Sequence, residues 1–277
     1  MKGNTIKKDL KDAAGAAENA ANSRIFVITA RTGFAVSGAL HVLIGLIAIQ
    51  LAFGKAAQAD QGGAMAQLAQ GTAGAFLLWL GFTACAALAL WQLSEVVFGY
   101  REREPKSKLW KKLAAAGQAV VFLAMAIAFS SFAVGNGKNS GRSTSDSTAE
   151  IMKLPLGPLL LICVGVGLIV TGVVFAVRGI RTTFKKNLSL PSSDALRAII
   201  TGLGLIGYIA KGIALFLVGL LFIIATLQAR PQESTGLDGA LKAVREQPYG
   251  VYLLTLIGAG LICYGLYQIA KARFVKM

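Results

Sequence analysis

Charge is scarce in this 277-residue chain, because only 15% of its residues are Asp, Glu, Lys or Arg. Soluble domains contain about 25% charged residues. Hydrophobic residues make up 55% of the chain, and its mean hydropathy is +0.62. So few polar side chains cannot cover a globule in water, which excludes a soluble enzyme, a disordered chain and a disulfide-rich secreted domain. The composition predicts an integral membrane protein.

Residues that carry chemistry are also few. The chain has one histidine, His41, and three cysteines, Cys85, Cys163 and Cys263, which fall inside apolar runs and are interpreted as small packing residues. A haem would need a second ligand beside His41, and no metal-binding cluster is spaced along the chain. Phosphate-binding glycine loops, zinc-protease motifs and nucleophile elbows are missing as well. The sequence therefore predicts no enzyme activity, no cofactor and no metal.

Six apolar runs are long enough to cross a bilayer, which takes about 20 helical residues. Because lipid cannot satisfy open backbone groups, each run is predicted to be a helix. The predicted spans are residues 32–53, 75–98, 113–134, 156–177, 199–227 and 250–270.

The basic residues gather on one side of these spans. Of the 28 Lys and Arg residues, twenty lie in the two tails and the two loops on the side of the tails, whereas seven lie on the other side. This bias predicts a multi-pass protein of the cell membrane with both termini cytoplasmic, including a polar tail over residues 1–30. The net charge of +15 is accordingly assigned to contact with anionic lipid head groups rather than to nucleic acid.

Glycines recur at fixed offsets along the chain and divide it into three similar units. In the first helix of a unit, the matching positions are Gly33, Gly38 and Gly45; Gly117 and Ala124; and Gly207, Gly212 and Gly219. In the second helix, they are Gly74 and Gly81; Gly157, Gly165, Gly167 and Gly172; and Gly250, Gly258, Gly260 and Gly265. The sequence thus predicts three tandem two-helix repeats, over residues 31–104, 105–186 and 187–277.

The repeats also predict how the bundle is arranged. A two-helix unit returns the chain to its starting side, so the copies share one orientation and are related by a pseudo-threefold axis along the membrane normal. Small residues at these spacings allow close helix packing. The loops opposite the termini repeat too, since residues 63–68 resemble 239–244. Each such loop is predicted to carry a short amphipathic helix, and the Gly/Ser-rich stretch 135–148 is predicted to be mobile.

Three segments carry a resemblance to a known family: residues 31–45, residues 77–81 with Trp91-Gln-Leu93, and residues 258–267. They resemble a bacterial membrane family, domain-of-unknown-function family 1206, which is built from three two-helix repeats. The resemblance covers about residues 25–274. Ser37 and His41 stand where the first repeat of that family often has a basic residue and an aromatic one, whereas Lys211 keeps the basic residue in the third repeat. The resemblance implies an integral six-helix protein and no known activity.

The ionisable residues inside or beside the spans are the candidate functional site, because each costs about 2.5–3.5 kcal/mol at the centre of a transmembrane helix. These residues are Lys211, Glu95, His41, Arg31 and Arg178. Lys211 and Glu95 are either two independent charges that reach the cytoplasmic interface or an ion pair between the first and third repeats. His41, near the midplane, is interpreted as a neutral residue that bonds to a neighbouring helix, with proton movement or ligation as the alternative.

Three functions remain open. The first is a non-enzymatic helical bundle that binds lipid or a membrane protein partner. The second is a small transporter or channel with a polar route near Lys211, Glu95 and His41, to which Gln92 and Gln118 could contribute. A membrane enzyme that acts on lipids ranks last, because no catalytic motif supports it.

Overall fold

In the computed structural model, residues 24–98, 105–189 and 193–274 are described, and they form nine α-helices. Six are long: α1 (Arg24–Ala52), α3 (Gly74–Phe98), α4 (Pro105–Ala133), α6 (Gly157–Ile180), α7 (Asp194–Leu227) and α9 (Gly250–Phe274). Three are short: α2 (Gln61–Ala69), α5 (Ser140–Met152) and α8 (Gly236–Arg245). Most of the predicted tail over residues 1–30 lies outside the described residues.

The six long helices are the predicted membrane spans, and this prediction is confirmed. Each is long and apolar enough to cross a bilayer. The helices α1 and α4 begin eight positions before their predicted spans, but their apolar parts, Arg31–Ala52 and Lys112–Ala133, match the predictions within one residue. In α7, whose 34 residues begin five positions before the predicted span, the apolar helix itself is longer than predicted. At about 1.5 Å per residue, α7 is longer than a hydrocarbon core of about 30 Å. Its first turns, which include Asp194 and Arg197, therefore extend beyond the apolar layer.

The three short helices lie on one face of the bundle, opposite the face where α1 begins and α9 ends; we call these the distal face and the terminal face. Asp60 caps α2 by accepting a hydrogen bond from Gly63 N at 2.8 Å, and Asn139 caps α5 by accepting one from Arg142 N at 2.9 Å. The stretch 135–148 is therefore helical from Ser140 onward. The prediction of a mobile loop there was wrong, because this N-cap starts a helix despite the Gly/Ser-rich composition.

The long helices pack in an interleaved ring rather than as three separate hairpins. The first helix of one repeat packs along the second helix of another, in the pairs α1–α9, α7–α6 and α4–α3. Within repeats, α1 contacts α3 and α7 contacts α9, whereas α4 and α6 do not pack along each other in the described residues. The pairing follows the predicted pseudo-threefold arrangement, and the ring is open between α4 and α6.

Reciprocal glycine pairs bring two of these seams together. A Cβ atom at Gly45 would lie 2.5 Å from the Gly258 oxygen, and one at Gly258 would lie 2.8 Å from the Gly45 oxygen. Gly219 and Gly165 stand in the same relation in the α7–α6 seam, at 2.5 and 2.9 Å. The backbones are so close that neither position has room for a side chain, as is typical of small-residue contacts in membranes.

The third seam, α3–α4, is built differently. A Cβ atom at Gly117 would meet no atom within 4 Å, and Gly81 packs against the ring of Phe129. A hydrogen bond from Gln92 Nε2 to Gln118 Oε1 joins the two helices instead. The α3–α4 seam therefore uses a ring contact and a side-chain hydrogen bond where the other two seams use glycine pairs.

Candidate functional site

A cavity of about 350 Å³ lies between α1, α7 and α9, beneath the three short helices. Its apolar walls are formed by Ile44, Ala214, Leu215, Val218, Leu237 and Leu261. Its polar residues near the distal face are Asp60, Gln61, Ser140, Thr144 and Thr235. His41 and Lys211 line its deep end. His41 lies eleven residues before the end of α1, about 16 Å into the bundle at helical rise.

Lys211 and His41 contact each other at the deep end. Lys211 Nζ lies 3.1 Å from His41 Nε2, and His41 Nδ1 lies 2.7 Å from the Ser37 carbonyl oxygen. A carbonyl oxygen only accepts, so Nδ1 carries the proton and Nε2 accepts a hydrogen bond from the Lys211 ammonium. The imidazole is consequently neutral, and it orients the ammonium without compensating its charge.

Aromatic rings surround the ammonium on the terminal side. Lys211 Nζ lies 4.3 Å from the centre of the Tyr264 ring and 5.4 Å from that of Phe175, which are cation–π distances. Beyond them, Tyr208 stacks on Phe184 at 5.2 Å. These rings lie between Lys211 and the terminal face, while the cavity lies on its distal side.

The beginnings of the short helices meet at the distal end of the cavity. Gln58 Nε2 donates to Asp60 Oδ2 at 2.9 Å and to Asn139 Oδ1 at 3.1 Å, and Ala59 N donates to Asp238 Oδ1 at 2.8 Å. These bonds join the segments that precede α2 and α5 to α8. Burial raises the pKa of the Asp60 carboxyl above its usual range and the nearby Asp238 adds to the rise, whereas hydrogen bonds from Gly63 N and Gln58 act in the opposite sense.

The structure brings together two of the five expected site residues, His41 and Lys211. Arg31 and Arg178 are exposed near the terminal face and do not line the cavity. The side chain of Glu95 lies outside the described residues, so its ion pair with Lys211 stays a prediction. The helices that would carry that pair, α3 and α7, do not pack along each other in the described part of the chain.

One of the two alternatives for Lys211 was that its side chain extends towards the cytoplasmic interface, and the structure shows a different arrangement. Its ammonium instead bonds to His41, because that ring offers an acceptor and Tyr264 and Phe175 offer aromatic faces. Gln92 and Gln118, which could contribute to a polar route, bond to each other in the α3–α4 seam and are not part of the cavity lining.

Sequence reasoning missed the polar residues at the distal end, although one signal was available. The interval between Asp60 and Asn139 equals that between Gly38 and Gly117. The first two repeats thus place an N-capping residue at the same position before their short helices. Over residues 24–98, 105–189 and 193–274, no group of three or more His, Cys, Asp or Glu side chains could hold a metal ion.

Fold and site together define a multi-pass membrane protein of three two-helix repeats with a mainly apolar cavity between α1, α7 and α9. The sequence profile of the Domain of Unknown Function (DUF1206) matches the chain three times, over residues 32–99, 113–182 and 206–275. The chain belongs to this family. It is 28% identical over 249 residues to the Uncharacterized protein YxxB of Bacillus subtilis (strain 168), covering 89% of this chain and 90% of that protein. No solved structure matches the chain.

Proposed function

We propose that this protein is a non-enzymatic membrane protein that binds a small amphiphilic anion in the cavity above Lys211. The Lys211 ammonium supports this proposal most directly. It lies at the deep end of an apolar cavity. The neutral His41 does not balance its positive charge, and it forms no ion pair with any residue whose side chain is described. A charge in such surroundings is costly unless it is paired. An anion from the cavity would supply the missing charge.

The cavity walls restrict the shape of the ligand. Ligand pockets usually measure about 300–1,000 Å³, so a volume of about 350 Å³ suits a small molecule rather than a whole lipid. Apart from His41 and Lys211 at the deep end, the side chains that line the cavity are aliphatic, and the other polar ones lie at the distal end. A monocarboxylate with a short apolar tail has a negative charge that can pair with the Lys211 ammonium and an apolar chain that can pack against these walls.

The charge distribution supports an orientation for this site. In the sequence, twenty of the 28 basic residues fall in the two tails and in the two loops on the side of the tails, which favours a plasma-membrane protein with both termini in the cytoplasm. The cavity would then receive its ligand from outside the cell. The membrane protein partner considered from the sequence stays a prediction.

Binding of hexanoate to the purified full-length protein tests the proposal, with hexanol as the neutral probe of the same chain length. Hexanoate should raise the Tm of the wild type, and the increase should be lost in Lys211→Met. At about 100 times the Kd, a ligand contributes about 2.7 kcal/mol to the free energy of unfolding. Arg178→Met removes a cation outside the cavity and should keep the effect. Equal stabilisation of the wild type and Lys211→Met by hexanoate would refute the proposal.

Transport is a second candidate, and the position of the cavity favours it. The cavity and its polar lining lie on the distal side of Lys211, and the Tyr264, Tyr208 and Phe184 rings lie on its terminal side. A site near the membrane midplane that is accessible from one side is the arrangement expected of one state in alternating access. Uptake of radiolabelled hexanoate into proteoliposomes distinguishes the candidates. A transporter gives uptake that is lost in Lys211→Met, whereas a binding protein gives the Tm increase without uptake.

A further inference from the structure

A second recess, with basic walls, lies on the distal face between the end of α1 and α8, away from the cavity above Lys211. Its basic side chains are Lys55, Lys242 and Arg245, and its volume is about 640 Å³. Lys242 pairs with Asp238 at 2.6 Å. Lys55 and Arg245 are exposed and form no ion pair within the described ranges. Two cations in this recess are therefore available to an anion.

This cluster runs against the general charge bias of the chain. Seven basic residues lie towards the distal face, and three of them meet in this one recess. The acidic residue in the lining is Glu246, so the basic residues outnumber it by three to one. The positive-inside rule explains why basic residues are rare on this face, but it does not explain why they gather.

An apolar groove continues from the recess into the membrane zone. It is lined by Phe53, Val251, Tyr252 and Leu256, among others, and Val251 belongs to both the groove and the recess. Phe53, Tyr252 and Leu256 are 71%, 75% and 72% exposed. All but Phe53 lie in the first turns of α9, a membrane span, so the groove opens to the acyl chains of the leaflet next to the distal face.

We propose that the recess and groove together bind one phospholipid with an anionic head group in that leaflet. The phosphate lies in the recess against Lys55 and Arg245, and an acyl chain lies along Tyr252 and Leu256. Charge complementarity selects the head group, since each basic residue near a membrane surface strengthens binding of anionic lipid about fivefold. The recess and the groove share Val251, so one ligand can occupy both. This favours a lipid over a water-soluble anion, because the groove lies along a membrane span and opens to the acyl chains.

Native mass spectrometry of the full-length protein with phosphatidylglycerol and phosphatidylcholine tests the site. The wild type should bind a first phosphatidylglycerol more tightly than a phosphatidylcholine. Replacing both free cations, in Lys55→Gln/Arg245→Gln, should weaken that binding about 25-fold. The matched control Lys138→Gln/Lys153→Gln removes two exposed cations from the same face outside the recess, and it should bind phosphatidylglycerol as the wild type does.

Two further measurements test the groove and the identity of the ligand. Ala259 lines the groove and is exposed, so Ala259→Phe should fill it and weaken phosphatidylglycerol binding without a change of charge. Glycerol 3-phosphate should not displace the lipid. The proposal is overturned if Lys55→Gln/Arg245→Gln retains phosphatidylglycerol as well as its control does. It is also overturned if glycerol 3-phosphate displaces the lipid fully, since the recess would then be a site for free phosphate.

Discussion

The close contact between Gly45 and Gly258 makes a quantitative prediction. In Gly45→Ala, the new methyl group would lie 2.5 Å from the Gly258 oxygen and 2.7 Å from Ile262 Cγ1. The first distance is about 1 Å shorter than ordinary van der Waals contact. The backbone oxygen cannot rotate away, so α1 and α9 must separate along the seam. Overpacking of this kind typically costs about 1–3 kcal/mol.

Gly117→Ala provides the matched control for this change. Gly117 lies in the first helix of the second repeat, at the place of Gly38, and is exposed; a Cβ atom there would meet nothing within 4 Å. Both substitutions improve helix propensity by up to about 1 kcal/mol, so that contribution cancels in the comparison. The difference of about 1–3 kcal/mol that remains corresponds to a Tm lower by about 2–12 °C for Gly45→Ala.

Thermal unfolding of the two variants in the same detergent measures this difference. Fluorescence-detected size-exclusion chromatography after heating gives the Tm of each, and the elution volume at room temperature shows whether both fold. If Gly45→Ala and Gly117→Ala unfold at the same temperature, the contact between α1 and α9 is not as close as the structure shows. The analogous substitution Gly219→Ala, in the α7–α6 seam, should behave as Gly45→Ala does.

Three other predictions concern the distal face, the α3–α4 seam and the topology. Because the folded-state pKa of Asp60 is raised, its ionised form destabilises the fold. Acidification from neutral pH towards about 4 should therefore stabilise the wild type relative to Asp60→Asn. Parallel pH curves would contradict this, and Asp194→Asn, at an exposed residue, is the control. A double-mutant cycle on Gln92→Leu and Gln118→Leu should give a coupling free energy of about 0.6 kcal/mol in unfolding titrations, and additive effects would show that their hydrogen bond contributes nothing. Reporter fusions at the two chain ends should both report the cytoplasm, and opposite compartments would show that the number of crossings is odd.

Much of the fold could be predicted from the sequence because the membrane imposes strong rules. Long apolar runs must be helices, so the apolar parts of five of the six spans were placed within a few residues. The helices α1 and α4 continue for about two turns before their predicted spans, and α7 for more than one turn. The glycine offsets also identified contact positions, since Gly45 and Gly258, which align with Gly219 and Gly165 in their repeats, are the residues that touch in the structure. Offsets show which positions correspond, but they do not show which helices are neighbours.

The site was less predictable because it combines different repeats. When the repeats are aligned so that Gly38 matches Gly212, Lys211 matches Ser37 and His41 matches Leu215. Neither residue of the pair thus has a repeated counterpart that would mark it. Their contact depends on two side chains that meet from α1 and α7 across the cavity. A charge count cannot supply that geometry, and it left Glu95 as one possible partner of Lys211.

The pairing of α1 with α9 also constrains how the protein is made. Of the six described spans, α1 is synthesised before α9, its main packing partner. The glycine face of α1 therefore stays exposed to lipid until α9 has been synthesised. A chain that stops after α7 would lack that partner entirely. The three duplicated units are therefore not independent modules, and the loss of any one removes a neighbour from both of the others.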